Sequence, residues 1–297
     1  MSKPGNKLKV AGLCRIAHVT RPGYYSWLRN INVRKTKENK DREDFQLILE
    51  AYNFRGYKKG VRGIHMRLLH RNEPVLMNLK KISRLMKKYN LFCPIRKANP
   101  YKRMAAAIRT NMVADNLLQR EFRKYGPRKV LLTDITYIPL NDKFCYLSTI
   151  LDAYTKQILA YVLSSSLEVD FVLETVKIVI DNYGTELYED TLVHSDQGSH
   201  YTSCKFVQLL KDVKLRQSMS RRGNCWDNAP QESFYGHMKD EIDITKCKNF
   251  DDLSKEINNW MDYYNNERYQ WDLAKLSPNE YYSYWKTGIY PLKVNNP

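Results

Sequence analysis

Three carboxylates stand out by their settings. Asp134 lies inside an apolar run, LLTDITY; Asp196 ends another, in VHSDQGSHYTS; Glu232 falls near the start of a helical pattern, NAPQESFYGHMKDE. An ionised carboxylate in or beside an apolar strand is unfavourable unless something cationic compensates it. Brought together, two aspartates and a glutamate repel one another, and shared divalent cations relieve the repulsion. Hard oxygen donors favour Mg2+, with Mn2+ as a substitute, and leave positions for water and phosphate oxygens. A pair of such ions activates an attacking oxygen and stabilises a leaving one, so the chemistry open to this set is metal-dependent attack on a phosphodiester. Spacing alone does not select the set. There are 61 residues between Asp134 and Asp196 and 35 between Asp196 and Glu232, and the 24 Asp and Glu after residue 128 allow many other triples.

The elements that must position these groups are legible as patterns. KVLLTDITYIPL, KFCYLSTILDAYT and QILAYVLSS are apolar, β-rich runs broken by short polar stretches such as Asn141-Asp142, and they predict an antiparallel meander. Val169, Val172, Val176, Val179 and Tyr183 recur at helical spacing and stop at Gly184. TLVHSD predicts a fourth strand, 202–213 a helix, LRQSMS a fifth strand, and 228–242 and 251–268 two closing helices. The order predicts an α/β domain over 129–290, a mixed five-stranded sheet with flanking helices.

Residues 1–128 differ in charge and texture. They hold 31 Lys and Arg against 8 Asp and Glu, a net of +23, whereas 129–297 hold 18 against 24, a net of −6; the whole chain carries +17. A basic region of this size implies a polyanionic partner, and no apolar run is long enough to cross a membrane, which favours DNA over a lipid surface and predicts a cytoplasmic protein. KLKVAGLCRIAHVTRPGYYSWLRN predicts two short helices, the second capped by Thr20, in a helix-turn-helix-like segment drawn with its charged linker over 1–40; the charged stretch VRKTKENKDRED at 33–44 reads as an exposed linker or a helix start. Helical patterns at 45–52, 61–70 and 77–89 predict a helix-turn-helix-like DNA-binding domain over 41–92, followed by a basic linker at 93–128. In the last of these helices Leu79, Ile82, Leu85 and Met86 form an apolar stripe, leaving Lys80, Lys81, Arg84, Lys87 and Lys88 to lie against phosphates. Six cysteines, widely spaced, read as reduced and mostly buried thiols, and His65 and His70, five apart, fall off one helical face and do not read as a metal pair.

TDITYI, HSDQGSHYTS, SMSRRGNCWDNAPQESFYGHMKDE and YYNNERYQWDLAKLSPNEYY, together with HMRLL and SRLMKKYNL upstream, resemble the second-frame (OrfB-type) transposases of the insertion sequence 3 family of bacterial mobile elements. The resemblance covers nearly the whole chain. It implies a ribonuclease H-like integrase core behind all-α helix-turn-helix domains, and a catalytic and metal-binding triad of Asp134, Asp196 and Glu232 holding two Mg2+ ions. It also implies a basic residue seven positions past the glutamate, here Lys239; two helical turns put it on the face of Glu232, placed to hold a DNA phosphate. His200 stands where the family motif has glutamine, and Gln197 where arginine is common.

The implied activity is DNA transposition: binding of the element's terminal repeats, strand cleavage, and joining of a freed 3′ hydroxyl to a second strand. The partners implied are double-stranded DNA, both element ends and target, a homo-oligomer on that DNA, and an upstream-frame helix-turn-helix and coiled-coil protein, separate or fused by frameshifting. A nuclease that cuts without joining and a DNA-binding regulator are the rival readings. Around the triad, Arg221 and Arg222 read either as DNA-following cations or as a solvated turn, Asn228 as a DNA contact or a helix N-cap, and Trp226 as an aromatic packed beneath the loop. Asp152 reads as structural.

Overall fold

A computed structural model of the chain describes residues 9–94, 118, 124–220 and 228–292. The N-terminal region is helical: α1 (Val10–Ile16), α2 (Arg21–Arg29), α3 (Ile31–Asn53), α4 (Val61–Leu69) and α5 (Leu79–Lys88). Thr20 caps α2 by accepting from the Gly23 amide at 3.2 Å, and Asn78 caps α5 by accepting from Lys81 at 2.7 Å. Ile48, Ala51, Tyr52, Ile64, Leu68, Met77, Ile82, Leu85 and Met86 form the shared core of α3, α4 and α5.

The charged stretch at 33–44, read as an exposed linker or a helix start, is the first half of the 23-residue α3, so the boundary drawn at residue 40 falls within a helix. Three of its acids are paired rather than solvated: Glu38, Asp41 and Asp44, on one face of α3, pair with Lys88, Arg84 and Lys81 of α5. A run of charges looks the same in sequence whether it meets water or a complementary helix.

The C-terminal domain is built on β1 (Val130–Leu140), β2 (Lys143–Asp152), β3 (Ile158–Ser164), β4 (Leu192–Ser195) and β5 (Arg216–Met219), in the order β3-β2-β1-β4-β5. β1, β2 and β3 pair antiparallel, while β4 lies parallel to both β1 and β5. This is the ribonuclease H-like arrangement expected. One face packs on α6 (Asp170–Tyr183) and α7 (Cys204–Asp212), the other on α8 (Ala229–Glu241) and α9 (Phe250–Asn266). The terminal helix α10 (Pro278–Thr287), absent from the sequence reading, starts with a capping box between Ser277 and Glu280. Asp152 is structural, as read: its Oδ1 accepts from the Tyr154 and Thr155 amides and its Oδ2 from the Arg128 amide and guanidinium, all buried. Cys14, Cys145 and Cys247 are buried thiols, whereas Cys204 is exposed.

The two regions are packed together. Tyr57 belongs to the core between the sheet and α8–α9, and Arg55 donates to Glu267 at 2.6 and 3.0 Å and to Asp262 at 3.3 Å. His70, at the end of α4, stacks on Tyr269 at 3.5 Å and places Nε2 3.3 Å from Glu280. His65 and His70 thus serve packing, with Nδ1 of each donating to a backbone carbonyl, Met77 and Met66 respectively.

Candidate active site

The register of two parallel strands aligns the first two carboxylates. β1 and β4 pair only over Val130–Leu132 and Leu192–His194, with Leu132 opposite His194. Asp134 and Asp196 each follow two residues later, so they come level on the same face of the sheet just where the strands part. In open α/β sheets such a fork at the carboxyl ends of strands is where functional groups collect. Leu132, one step before Asp134 on that face, packs in the cluster that contains Phe234, Tyr235 and Met238 of α8, and α8 carries Glu232 in its first turn.

The electrostatics report the same convergence. Burial, then the negative charges of Asp196 and Glu232, push the Asp134 carboxyl up to about 7, against the Ile135 amide and Lys239, which lower it. Lys239 is exposed on α8 and forms no ion pair among the described residues; partial desolvation lowers its pKa and the Asp134 charge opposes that shift. Each aspartate commits Oδ1 to a backbone amide, Asp134 to Ile135 at 2.8 Å and Asp196 to Gly198 at 2.9 Å, and leaves Oδ2 without a hydrogen bond or ion pair among the described residues. Two hard oxygens with no other partner, on level strands, fit a divalent cation. Among the described residues no three His, Cys, Asp or Glu side chains already stand close enough together to hold an ion.

Gly198 is a site residue the sequence reading passed over. A Cβ there would meet Asp196 Oδ1 at 2.9 Å, so a side chain would displace the carboxylate that the Gly198 amide holds. The signal was available, since Asp followed two residues later by Gly favours such a local turn. Gly198→Ala is expected to weaken divalent-cation affinity about tenfold with little loss of fold, measurable by titration calorimetry; unchanged affinity would show that Asp196 does not need this amide.

The other predicted residues divide. Arg221, Arg222 and Trp226 lie outside the described residues. Asn228 is the N-cap residue of α8, yet its side chain makes no capping bond, and its buried Oδ1 has no hydrogen-bond partner. Gln197 donates to the Ser220 carbonyl and His200 to the Leu167 carbonyl, so both motif departures are tied to backbone.

The five α5 cations are not equivalent. Arg84 grips Asp41 through two bonds of 2.7 and 2.8 Å, Lys88 joins Asp41 and Glu38, and Lys81 pairs with Asp44. Arg84 and Lys88 accordingly hold the Asp41 carboxyl well below the usual range. Lys80 and Lys87 are exposed and unpaired among the described residues, and seven positions apart they share a helix face. Replacing both with alanine is expected to lower the slope of log binding constant against log salt by about 2 while leaving the thermal midpoint in place. An unchanged slope would remove this face from the DNA interface.

Integrase core domain models match residues 124–225 and 213–278, and an HTH-like domain model matches 38–99. The chain is 31% identical over 272 residues to the transposase InsK of insertion sequence element IS150 from Escherichia coli K12, covering 91% of this chain and 92% of that protein. It is 24% identical over 285 residues to the transposase InsF of insertion sequence IS3A from the same organism, covering 93% and 94%. The solved catalytic core of HTLV-2 integrase in complex with magnesium is 14% identical, with a TM-score of 0.41, over 52% of this chain and 97% of that one. Matched along both regions by these models and along most of its length by such relatives, the chain belongs to the IS3 family of insertion-sequence transposases.

Proposed function

We propose that this transposase cuts and joins DNA at the fork between β1 and β4, with Asp134, Asp196 and Glu232 holding Mg2+, or Mn2+ in its place, as a pair of ions. The observation that carries the reading is the level placement of Asp134 and Asp196 where β1 and β4 part, with burial, then the charges of Asp196 and Glu232, raising the Asp134 carboxyl. When bound, the metal supplies charge neutralisation for in-line displacement at phosphorus. In the first displacement a water oxygen bonds to phosphorus and the bond to the 3′ oxygen breaks, freeing a 3′ hydroxyl. In the second, that hydroxyl oxygen bonds to a phosphorus of the target strand and displaces the target's own 3′ oxygen.

The chain's own groups orient these steps. Glu232 and Lys239 lie two turns apart on one face of α8, so the ammonium is placed to hold a phosphate beside the carboxylates. α5, through Lys80 and Lys87, is the element placed to grip the element's terminal repeat. Arg221 and Arg222 are assigned to DNA near the cut and Asn228 to a base or phosphate. The active species is a homo-oligomer joining two ends, and the upstream-frame helix-turn-helix and coiled-coil protein, separate or fused, is its partner.

Labelled element ends incubated with the full chain and Mg2+, beside Asp196→Asn, test the reading. Joined strands that vanish in the variant are expected. Cleavage without joining would indicate a nuclease, and binding without chemistry in either protein a regulator; each outcome would overturn the proposal.

A further inference from the structure

α8 is held at both ends. At its C-terminus Glu241 accepts from Arg268 at 2.9, 3.1 and 3.2 Å and from the Trp260 indole at 3.0 Å. At its N-terminus, next to Glu232, the attachment is a chain of side-chain hydrogen bonds running Gln231, Thr149, Tyr235, Asp134 carbonyl.

Proton counting fixes the direction of that chain. The Asp134 and Leu147 carbonyls can only accept, so the single Tyr235 hydroxyl proton goes to a carbonyl, the Asp134 one at 2.6 Å being nearer than Leu147 at 3.3 Å. The proton between Thr149 and Tyr235, 2.8 Å apart, must then come from Thr149. With its proton used, the Thr149 oxygen can only accept from Gln231, so the amide nitrogen faces Thr149. Reversing the amide would leave two lone pairs facing each other between Thr149 and Tyr235. The Gln231 carbonyl oxygen is consequently the group left over, and it is buried with no hydrogen-bond partner among the described residues. Gln231 is fully buried, and an apolar side chain of its size would fill the same space without an unsatisfied acceptor.

A residue that lowers stability in this way while linking the turn of Glu232 to the strand of Asp134 is better explained by position than by packing. Thr149 is the β2 partner of Asp134 in the ladder, so the chain crosses directly from the catalytic turn of α8 to the level of the fork. We infer that Gln231, acting through Thr149 and Tyr235, is a positioning residue that sets Glu232 against Asp134 for the divalent cation. The inference rests on the metal-holding reading of Asp134, Asp196 and Glu232.

Mg2+ titration calorimetry on the full chain, with thermal unfolding in chelator as a second readout, tests it. Gln231→Leu and Thr149→Val are expected to bind Mg2+ about tenfold more weakly. Thr149→Ser, which keeps the hydroxyl, is expected to bind as the wild type does. Gln231→Leu should unfold in chelator at or above the wild-type temperature, the reverse of what a structural role predicts. Gln231→Met serves the same test if the leucine variant does not fold. Wild-type Mg2+ affinity in Gln231→Leu and Thr149→Val, with Asp196→Asn unable to bind, would overturn the inference alone. No Mg2+ binding by the wild type would overturn the metal reading and the inference with it.

Discussion

Asp134→Asn is expected to reduce strand cleavage and joining by at least about 10³-fold and, in chelator at pH 8, to yield a protein more stable than the wild type. The two effects have one origin. Burial, then the charges of Asp196 and Glu232, lift the Asp134 carboxyl to about 7, against an ordinary value of 3.8. Between those values the folded chain holds a proton that the unfolded chain has released. Stability therefore falls as pH rises through that window, and the whole penalty, at most on the order of 4 kcal/mol, is present above it. Asparagine carries no charge, so the variant escapes the penalty. Urea unfolding of both proteins at pH 5 and pH 8 in chelator gives the comparison: the wild type should lose stability between the two, and the variant should lose much less. Added Mg2+ should restore the wild type at pH 8 and do little for the variant, because a ligand bound only by the folded state stabilises it. Equal pH dependence in the two proteins would mean that Asp134 is not the strained group.

Arg268→Ala is expected to be severely destabilising, by roughly 3–5 kcal/mol. Glu241 and Arg268 are both largely buried, 7% and 16% exposed at the side chain, and the variant leaves the carboxylate with the Trp260 indole as its hydrogen-bond donor and without its paired cation among the described residues. The loss falls on α8, whose other end carries Glu232, so the thermal midpoint and the divalent-cation affinity should drop together. Combining Glu241→Met with Arg268→Met tests the cause. If desolvated charge is the penalty, the double variant should regain most of the stability lost by Arg268→Ala, since an apolar pair of similar volume substitutes well for a buried ion pair. A double variant as unstable as the single one would assign the loss to the missing arginine packing instead.

Much of the fold was legible locally. The runs that became β1, β2 and β3, the valine ladder of α6 and the apolar stripe of α5 are periodic, and periodicity survives in sequence because each residue's burial depends on its own strand or helix. α10 was missed because its apolar content is low and only Pro278 of it is buried; its start is declared by the Ser277–Glu280 box rather than by a stripe. The charged first half of α3 stayed open between linker and helix start because nothing local separates a solvated run from one facing another helix.

The same division applies to the site. Residue type and motif singled out Asp134, Asp196 and Glu232 as candidates, because carboxylates in apolar surroundings are unusual wherever they occur, and the family resemblance added Lys239. They also divided the chain into a basic region and an acidic one. Only the tertiary structure decided what those charges do. Part of the acidic surplus docks the basic region, Glu267 and Asp262 on Arg55 and Glu280 on His70, while acids of α3, within the basic region itself, pair with Lys81, Arg84 and Lys88 and leave Lys80 and Lys87 as the unpaired cations of α5 among the described residues. The level placement of the two aspartates and the Gln231 chain likewise depend on strand register and on which groups meet across the sheet. Most of these partners are far apart in the chain, and hydrogen bonds and ion pairs at such separations leave no periodic trace in the sequence that makes them.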